Sequence, residues 1–532
     1  MRLFLLPILF FTFLCATFSC QKKEGTSLEP EKQTVRINFI YSPFALDPRK
    51  CTDPVTTVLS FMLYEGLTRL EPDGRVSMAL AERVKILEDR TTYLFYLREA
   101  YWSDGTPITA YDFEDSWKAL LDPNFPSKTA HLLYPLKNGE RARKGECSFD
   151  EVGVKALSET KLLVELEKPI PYFLELTAFC TFFPVPNGGK EVPHPNGRQD
   201  FVFSGPFRLK SWVNDDEVVA EKNPFYWNGD KVQIEEIRAT IISEEATALK
   251  LYEQGKLDWI GGLISPLPLD AVSVMKKSLE IRQRPIAGTT LTTFNLEAYP
   301  FNNVNIRKAF AYAVNRETLV ENVSQMFDDV ATGPVPHVLK GQNLAPLFPD
   351  NSPELAQKHF ERGLQELGMT REEFPKVTYS YFSSELQRNL ALALQSQWKE
   401  VLGVEVELQA SELKTHLAHL YTRNYQLGQM SWIGQYHDRM NFLERFYTKD
   451  TFRNYSGWEN ARFSTLIAES FYQEFEKRLS LLDQAEKILI DEMPIIPLYH
   501  YHLVYLKNPR LKNVAISPMG DIQFHKAYLH KL

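Results

Sequence analysis

Cysteine is scarce in this chain, five in 532 residues, and no two stand in a C-x-x-C spacing. That excludes a zinc ribbon, a dithiol redox motif and a fold built on disulfides. Positive charge is also short, 60 Lys and Arg against 68 Asp and Glu, so the net charge is -8. No basic excess exists to neutralise a nucleic-acid backbone, and no nucleic-acid partner is expected. After residue 20 no run approaches the ~20 apolar residues of a membrane-spanning helix. Repeats are missing too, as are low-complexity tracts beyond residues 20–32. So are a G-x-S-x-G turn, a G-x-G-x-x-G or Walker loop and an H-E-x-x-H helix. His416 with His419, and His500 with His502, are pairs without a third ligand at a suggestive spacing, and they read as hydrogen-bonded surface histidines. Asp215-Asp216, Glu235-Glu236 and Glu244-Glu245 read as helix starts and solvated faces. No nucleophile is assembled with its base. The expectation is a protein that is not an enzyme, with no metal and no cofactor.

What is present begins at the N-terminus. Met1-Arg2 carries one positive charge, and residues 3–18 run apolar with Pro7, Thr12 and Thr17 as the interruptions. Ser19-Cys20 and a polar stretch follow, the layout of a secretion signal over residues 1–19; an uncleaved anchor is the alternative. Thr17-Phe18-Ser19-Cys20 resembles a bacterial lipobox, with Cys20 as the lipidated first residue, although Thr17 and Phe18 depart from the usual Leu and small residue. Residues 20–32 then read as a tether. Everything beyond Cys20 is expected outside the cytoplasm, held to the membrane by lipid alone. Cys51, Cys147 and Cys180 remain, enough for one disulfide and a spare thiol.

The length exceeds one compact core, so two or three domains are expected. Strands and helices alternate, which makes the class α/β. Polar–apolar alternation predicts strands over 34–41, 94–97, 161–166, 218–221 and 291–296. Helical spacing predicts 110–121, with Phe113, Trp117 and Leu120 on one face, and 243–255, with Ala246, Leu249 and Leu251 buried. A single long helix is predicted over 304–326 and another over 477–492. Loops rich in Pro, Gly and Asn fall at 184–197, 333–351 and 457–460. The 24 Tyr, 35 Phe and 8 Trp suit a core and also a protein that encloses a ligand.

A series of local patterns resembles one family, the extracytoplasmic binding proteins of peptide-type ABC importers, which includes oligopeptide, dipeptide, murein-peptide and nickel binders. Leu46-Asp47-Pro48 looks like its opening motif and Leu63-Tyr64-Glu65-Gly66-Leu67 like its YEGL helix end. Tyr101-Trp102-Ser103-Asp104-Gly105-Thr106-Pro107-Ile108-Thr109-Ala110-Tyr111-Asp112-Phe113 is close to its WSDGxPxTAxDF signature. Leu121-Asp122-Pro123, Ser204-Gly205-Pro206-Phe207, Asn223-Pro224-Phe225-Tyr226-Trp227, Thr293-Phe294-Asn295-Leu296 and Met493-Pro494-Ile495-Ile496-Pro497-Leu498-Tyr499 follow in family order. These residues themselves read as scaffold: Trp102 plugs a core and Asp112 caps a helix.

The resemblance implies a two-lobed periplasmic-binding-protein fold with an inserted subdomain and hinge strands. One lobe would be discontinuous (33–64, 198–290 and 498–532), the insertion would be 65–197 and the second lobe 291–497. It implies a monomer that captures a short peptide as the lobes close and delivers it to two membrane permeases with their ATPases. Capture in the family is by strand addition, where backbone meets backbone and side chains matter little. The family's two ligand segments map to Thr52-Asp53-Pro54 and to Ser431-Trp432-Ile433-Gly434-Gln435-Tyr436 with Asp438. Arg423 upstream is a candidate cation for a ligand carboxylate. Oligopeptide binders commonly read W-x-A-D-Y where this chain has Gln435, and the missing Asp is the partner of the peptide ammonium. Asp438 or Asp53 can supply the charge, or the ligand's amine is blocked as in a modified or cell-wall-derived peptide. The remaining alternatives are a non-peptide solute such as a nickel chelate, and an envelope receptor for signalling.

Overall fold

A computed structural model describes residues 32–195, 200–276, 281–341, 345–451 and 453–530. The expected signal sequence, Cys20 and all of the tether but Lys32 lie outside the described residues. One sheet of eleven strands runs through both lobes. At its centre lie two strands of thirteen residues, Arg282–Phe294 and Ile495–Lys507. Trp259–Gly261 pairs with the far end of Ile495–Lys507, at residues 505–507. Leu427–Ile433 pairs with the other end of Arg282–Phe294, at residues 288–294. Each long strand therefore serves both lobes.

The ladder between the two long strands slips between Pro285 and Thr289. Within that break Ala287 donates its N–H to Pro518 O at 2.7 Å and accepts from Gly434 N–H at 2.7 Å. Gly288 follows, and a Cβ there would sit 2.2 Å from Tyr501 Cδ2. A break in the hydrogen-bond ladder of crossing strands is where a bend disturbs the fewest bonds.

On the first-lobe side, Thr34–Phe39 alternates so that Val35, Ile37 and Phe39 are buried, and it pairs parallel with Glu236–Ile241. Antiparallel strands Glu217–Lys222 and Phe207–Val213 continue the sheet. A separate four-stranded antiparallel sheet holds Ala81–Ile86, Thr92–Leu97, Lys161–Glu165 and Val154–Ser158, in that spatial order. Helix Ala110–Leu120 covers it, burying Phe113, Trp117 and Leu120. The helix starts with a capping box, in which Asp112 Oδ2 accepts the Thr109 N–H at 2.7 Å.

The motif residues knit this region together. Glu65 accepts from Trp227 Nε1 at 2.6 Å and from Tyr226 OH at 3.2 Å, and pairs with Arg69. Asn223 Nδ2 donates to Gly205 O at 2.9 Å. Asp47 and Arg49 form a fully buried pair at 2.7 Å, and Arg49 Nη1 also donates to Gly189 O at 2.7 Å.

Three readings of local structure need correction. The helix expected over 304–326 is broken into Val304–Tyr312, Arg316–Leu319 and a π turn, Val320–Ser324. Asn315 restarts it by accepting the Thr318 N–H, while the buried Arg316 guanidinium reaches Pro497 O at 2.6 Å and Asp350 at 2.8 Å. In helix Glu245–Glu253 the buried residue is Ala248, and Ala246 is exposed; the Glu244 carboxylate caps the Ala246 and Thr247 N–H groups and fixes that orientation. His416 and His500 are buried rather than on the surface. The thiols of Cys51, Cys147 and Cys180 are free.

Candidate functional site

A cavity of about 570 Å³ lies between the four-stranded subdomain and the second lobe. Leu132, Ile170, Tyr172 and Leu176 line one side; Trp432, Gln435, Tyr436, Asn441, Glu444, Arg445 and Arg453 line the other. That volume is in the range of small-ligand sites. The two walls touch where Tyr172 and Tyr436 stack, with centroids 4.6 Å apart and planes within 7°.

Trp432 stands near the end of strand Leu427–Ile433, and its Nε1 donates to Asn441 Oδ1 at 2.8 Å. Two guanidinium groups lie over its ring, Arg445 at 3.9 Å and Arg453 at 4.5 Å from the centroid. Such contacts gain strength where water is excluded. Burial, with Arg453 adding repulsion, lowers Arg445 to about 10. Burial raises the Glu444 carboxyl to about 7, and raises Glu175, beneath Tyr172 in the chain, to about 7 as well. His131 is pushed down to about 4 by burial and then by Arg453. The site is thus a partly buried, aromatic, cation-bearing chamber.

Strand Leu427–Ile433 has one open edge. Residues 427–433 pair with 288–294 on one side. On the other, Val377–Phe382 takes only Leu427 and Gly428. Among the described residues no strand pairs with 429–433 there, and His416 Nε2 donates to Gln429 O at 2.8 Å. Alternate backbone groups of 430–433 are left for an incoming chain, beside the Trp432 cavity.

The expected site residues separate. Trp432, Gln435 and Tyr436 line the cavity. Ser431 is exposed beside it, its hydroxyl 3.1 Å from Thr290 Oγ1. Ile433 ends the strand, and Gly434 bonds the hinge at Ala287. Asp438 is bound by Arg478 through two contacts of 2.7 Å and caps the Met440 N–H at 2.8 Å. Asp53 caps helix Pro54–Leu63 through the Thr56 N–H at 2.9 Å, with Pro54 in the first turn and Thr52 exposed before it. Arg423, at φ 53°, pairs with Glu297 at 2.9 Å. None of Thr52, Asp53, Pro54, Asp438 and Arg423 is among the lining residues. Sequence reasoning did not find Tyr172, Asn441, Arg445 or Arg453; no spacing rule joins them to Trp432.

The model of the bacterial extracellular solute-binding proteins, family 5 (middle), matches residues 75–454 of this chain. The chain belongs to that family. This family 5 protein is 38% identical to the oligopeptide-binding protein OppA of Bacillus subtilis (strain 168) over 513 residues, 95% of this chain and 94% of that relative. It is 32% identical to the dipeptide-binding protein DppE of the same organism, covering 94% and 93% of the two chains. Its fold matches that of Haemophilus influenzae OppA in complex with RPPGFSPFR at a TM-score of 0.80 and 26% identity, over 94% of this chain and 100% of the other. The mixed α/β, two-lobed architecture is that of the family 5 binding proteins, whose members are extracytoplasmic binders rather than enzymes.

Proposed function

We propose that this family 5 protein is the capture component of an ABC importer, closing two lobes on a short peptide and delivering it to membrane permeases and their ATPases. The carrying observation is the open edge of Leu427–Ile433 running into the Trp432 cavity. An extended peptide adds there as a strand, which supplies affinity without reading sequence. The relatives' names, oligopeptide-binding and dipeptide-binding, support the same cargo class. In this reading the protein is a non-enzymatic monomer. Its lobes are 33–64 with 198–290 and 498–532, and 291–497, with 65–197 inserted. Signal cleavage before Cys20 and lipid at Cys20 hold it to the outer face of the membrane.

The test is calorimetric titration of the purified, ligand-stripped protein with tri-alanine and with N-acetyl-tri-alanine. Micromolar or tighter binding of either establishes peptide capture. Equal affinity, or preference for the acetylated form, assigns Gln435 to a site that no longer needs a free amine, and makes blocked or cell-wall-derived peptides the leading cargo. Binding of neither overturns the peptide reading in favour of a non-peptide solute.

A further inference from the structure

Arg445 is 5% exposed, yet no carboxylate pairs with it among the described residues. Among the described residues its Nε has no hydrogen-bond partner, and its Nη1 reaches only the weak acceptor Met430 Sδ at 3.9 Å. Asn441, 2% exposed, has its Oδ1 taken by Trp432 and its Nδ2 unpartnered. Both side chains line the same cavity, and Arg453 brings a second guanidinium to the same indole ring. A buried cation without a counter-charge is costly in desolvation alone, and a buried donor left unmade adds to that. Evolution tolerates such an arrangement where an outside group completes it.

The carboxylates already in the cavity do not complete it. Glu444 is adjacent in sequence but makes no ion pair with Arg445 among the described residues, and Glu140, Glu167 and Asp450 are exposed at the rim. The orphan groups of Arg445 and Asn441 are donors, and a guanidinium fork with an amide N–H₂ beside it matches the two oxygens of a carboxylate.

We infer that the bound peptide places a carboxylate against Arg445, Arg453 and Asn441 on the Trp432 wall, so that this protein prefers cargo that presents a carboxylate at that point. This rests on the peptide reading above and adds a charge preference to it. The carboxylate comes from an Asp or Glu side chain or from the peptide C-terminus, and both are the same chemistry at the site.

Four peptides separate these sources in titrations of the wild-type protein: Ala-Glu-Ala and Ala-Gln-Ala, each with a free or an amidated C-terminus. The expected result is that the amidated neutral peptide binds about tenfold to a hundredfold more weakly than the best carboxylate-bearing one. If Glu rescues the amidated peptide, the side chain is the source; if only the free C-terminus matters, the terminus is. In Arg445→Gln the advantage of the carboxylate falls toward one, and in Arg445→Lys it is partly restored. Because the wild-type series needs no variant, misfolding of Arg445→Gln does not decide the question. Equal affinity of all four peptides overturns the carboxylate site alone. Binding of none overturns the peptide reading and this inference with it.

Discussion

Asp438 is the carboxylate that follows Gln435 most closely along the chain, and so the first candidate to replace the missing ammonium partner. Its geometry predicts a different role. Both oxygens take 2.7 Å contacts from Arg478, and Oδ1 also caps the Met440 N–H at 2.8 Å. The two side chains are 13% and 4% exposed, respectively. Asp438→Asn keeps the shape, the cap and one bond to Arg478, but loses one charge-assisted bond and the counter-charge. Breaking a buried pair costs about 3–5 kcal/mol. The bonds that survive place this variant at the low end, about 3 kcal/mol. Urea denaturation reads the loss as a lower midpoint at unchanged slope. The double variant with Arg478→Met recovers at least half of it, because the uncompensated guanidinium is gone. In calorimetry the affinity ratio of tri-alanine to N-acetyl-tri-alanine stays where wild type has it. A loss below about 1 kcal/mol, on the same scale for breaking a buried pair, refutes the structural role. A tenfold change in that ratio would show instead that Asp438 holds the amine.

Trp432→Ala removes the aromatic wall and the surface on which Arg445 and Arg453 stack, and lowers peptide affinity about tenfold or more in calorimetry; unchanged affinity removes Trp432 from the site. Gly288→Ala forces a methyl 2.2 Å from Tyr501 Cδ2, on a ring whose OH is held 2.6 Å from Thr290 Oγ1, and costs about 1–3 kcal/mol in denaturation; a neutral result denies the tight packing at the hinge. Glu444, raised to about 7 by burial, binds its proton more tightly folded than unfolded, where it titrates at about 4.3. Its contribution is therefore complete below that value and is lost as pH rises to about 7. The opposite sense holds for His131, lowered to about 4, so the Glu444 share is read as wild type minus Glu444→Gln. That difference falls by about 1–3 kcal/mol from pH 5 to pH 8, and a flat difference refutes the shift.

Much of the architecture was legible because short-range rules carry it. Alternation placed the strand that is Thr34–Phe39, the helical spacing of Phe113, Trp117 and Leu120 placed helix Ala110–Leu120, and the ordered motifs pointed to the family. The break after Tyr312 was not legible: the first helix ends at an Ala313 cap, Asn315 caps the start of the next, and the burial of Arg316 depends on Pro497, far along the chain. Ala246 and Ala248 exchanged places for a similar reason, since a cap at Glu244 sets the helix phase that apolar spacing left open.

For the site, the family resemblance pointed to Trp432, Gln435 and Tyr436 and to an amide at Gln435 where oligopeptide binders commonly carry Asp; their adjacency on one strand and its following turn is what lets a local motif name them together. Tertiary structure alone decided that Tyr172 closes on Tyr436, that Asp438 is spent on Arg478, and that Arg445 and Arg453 converge on one indole ring. Local propensity acts over a few residues through backbone geometry and side-chain reach. Which charge meets which partner is settled only when lobes from distant parts of the chain pack and exclude water between them, and among the described residues that packing left Arg445 Nε without a partner.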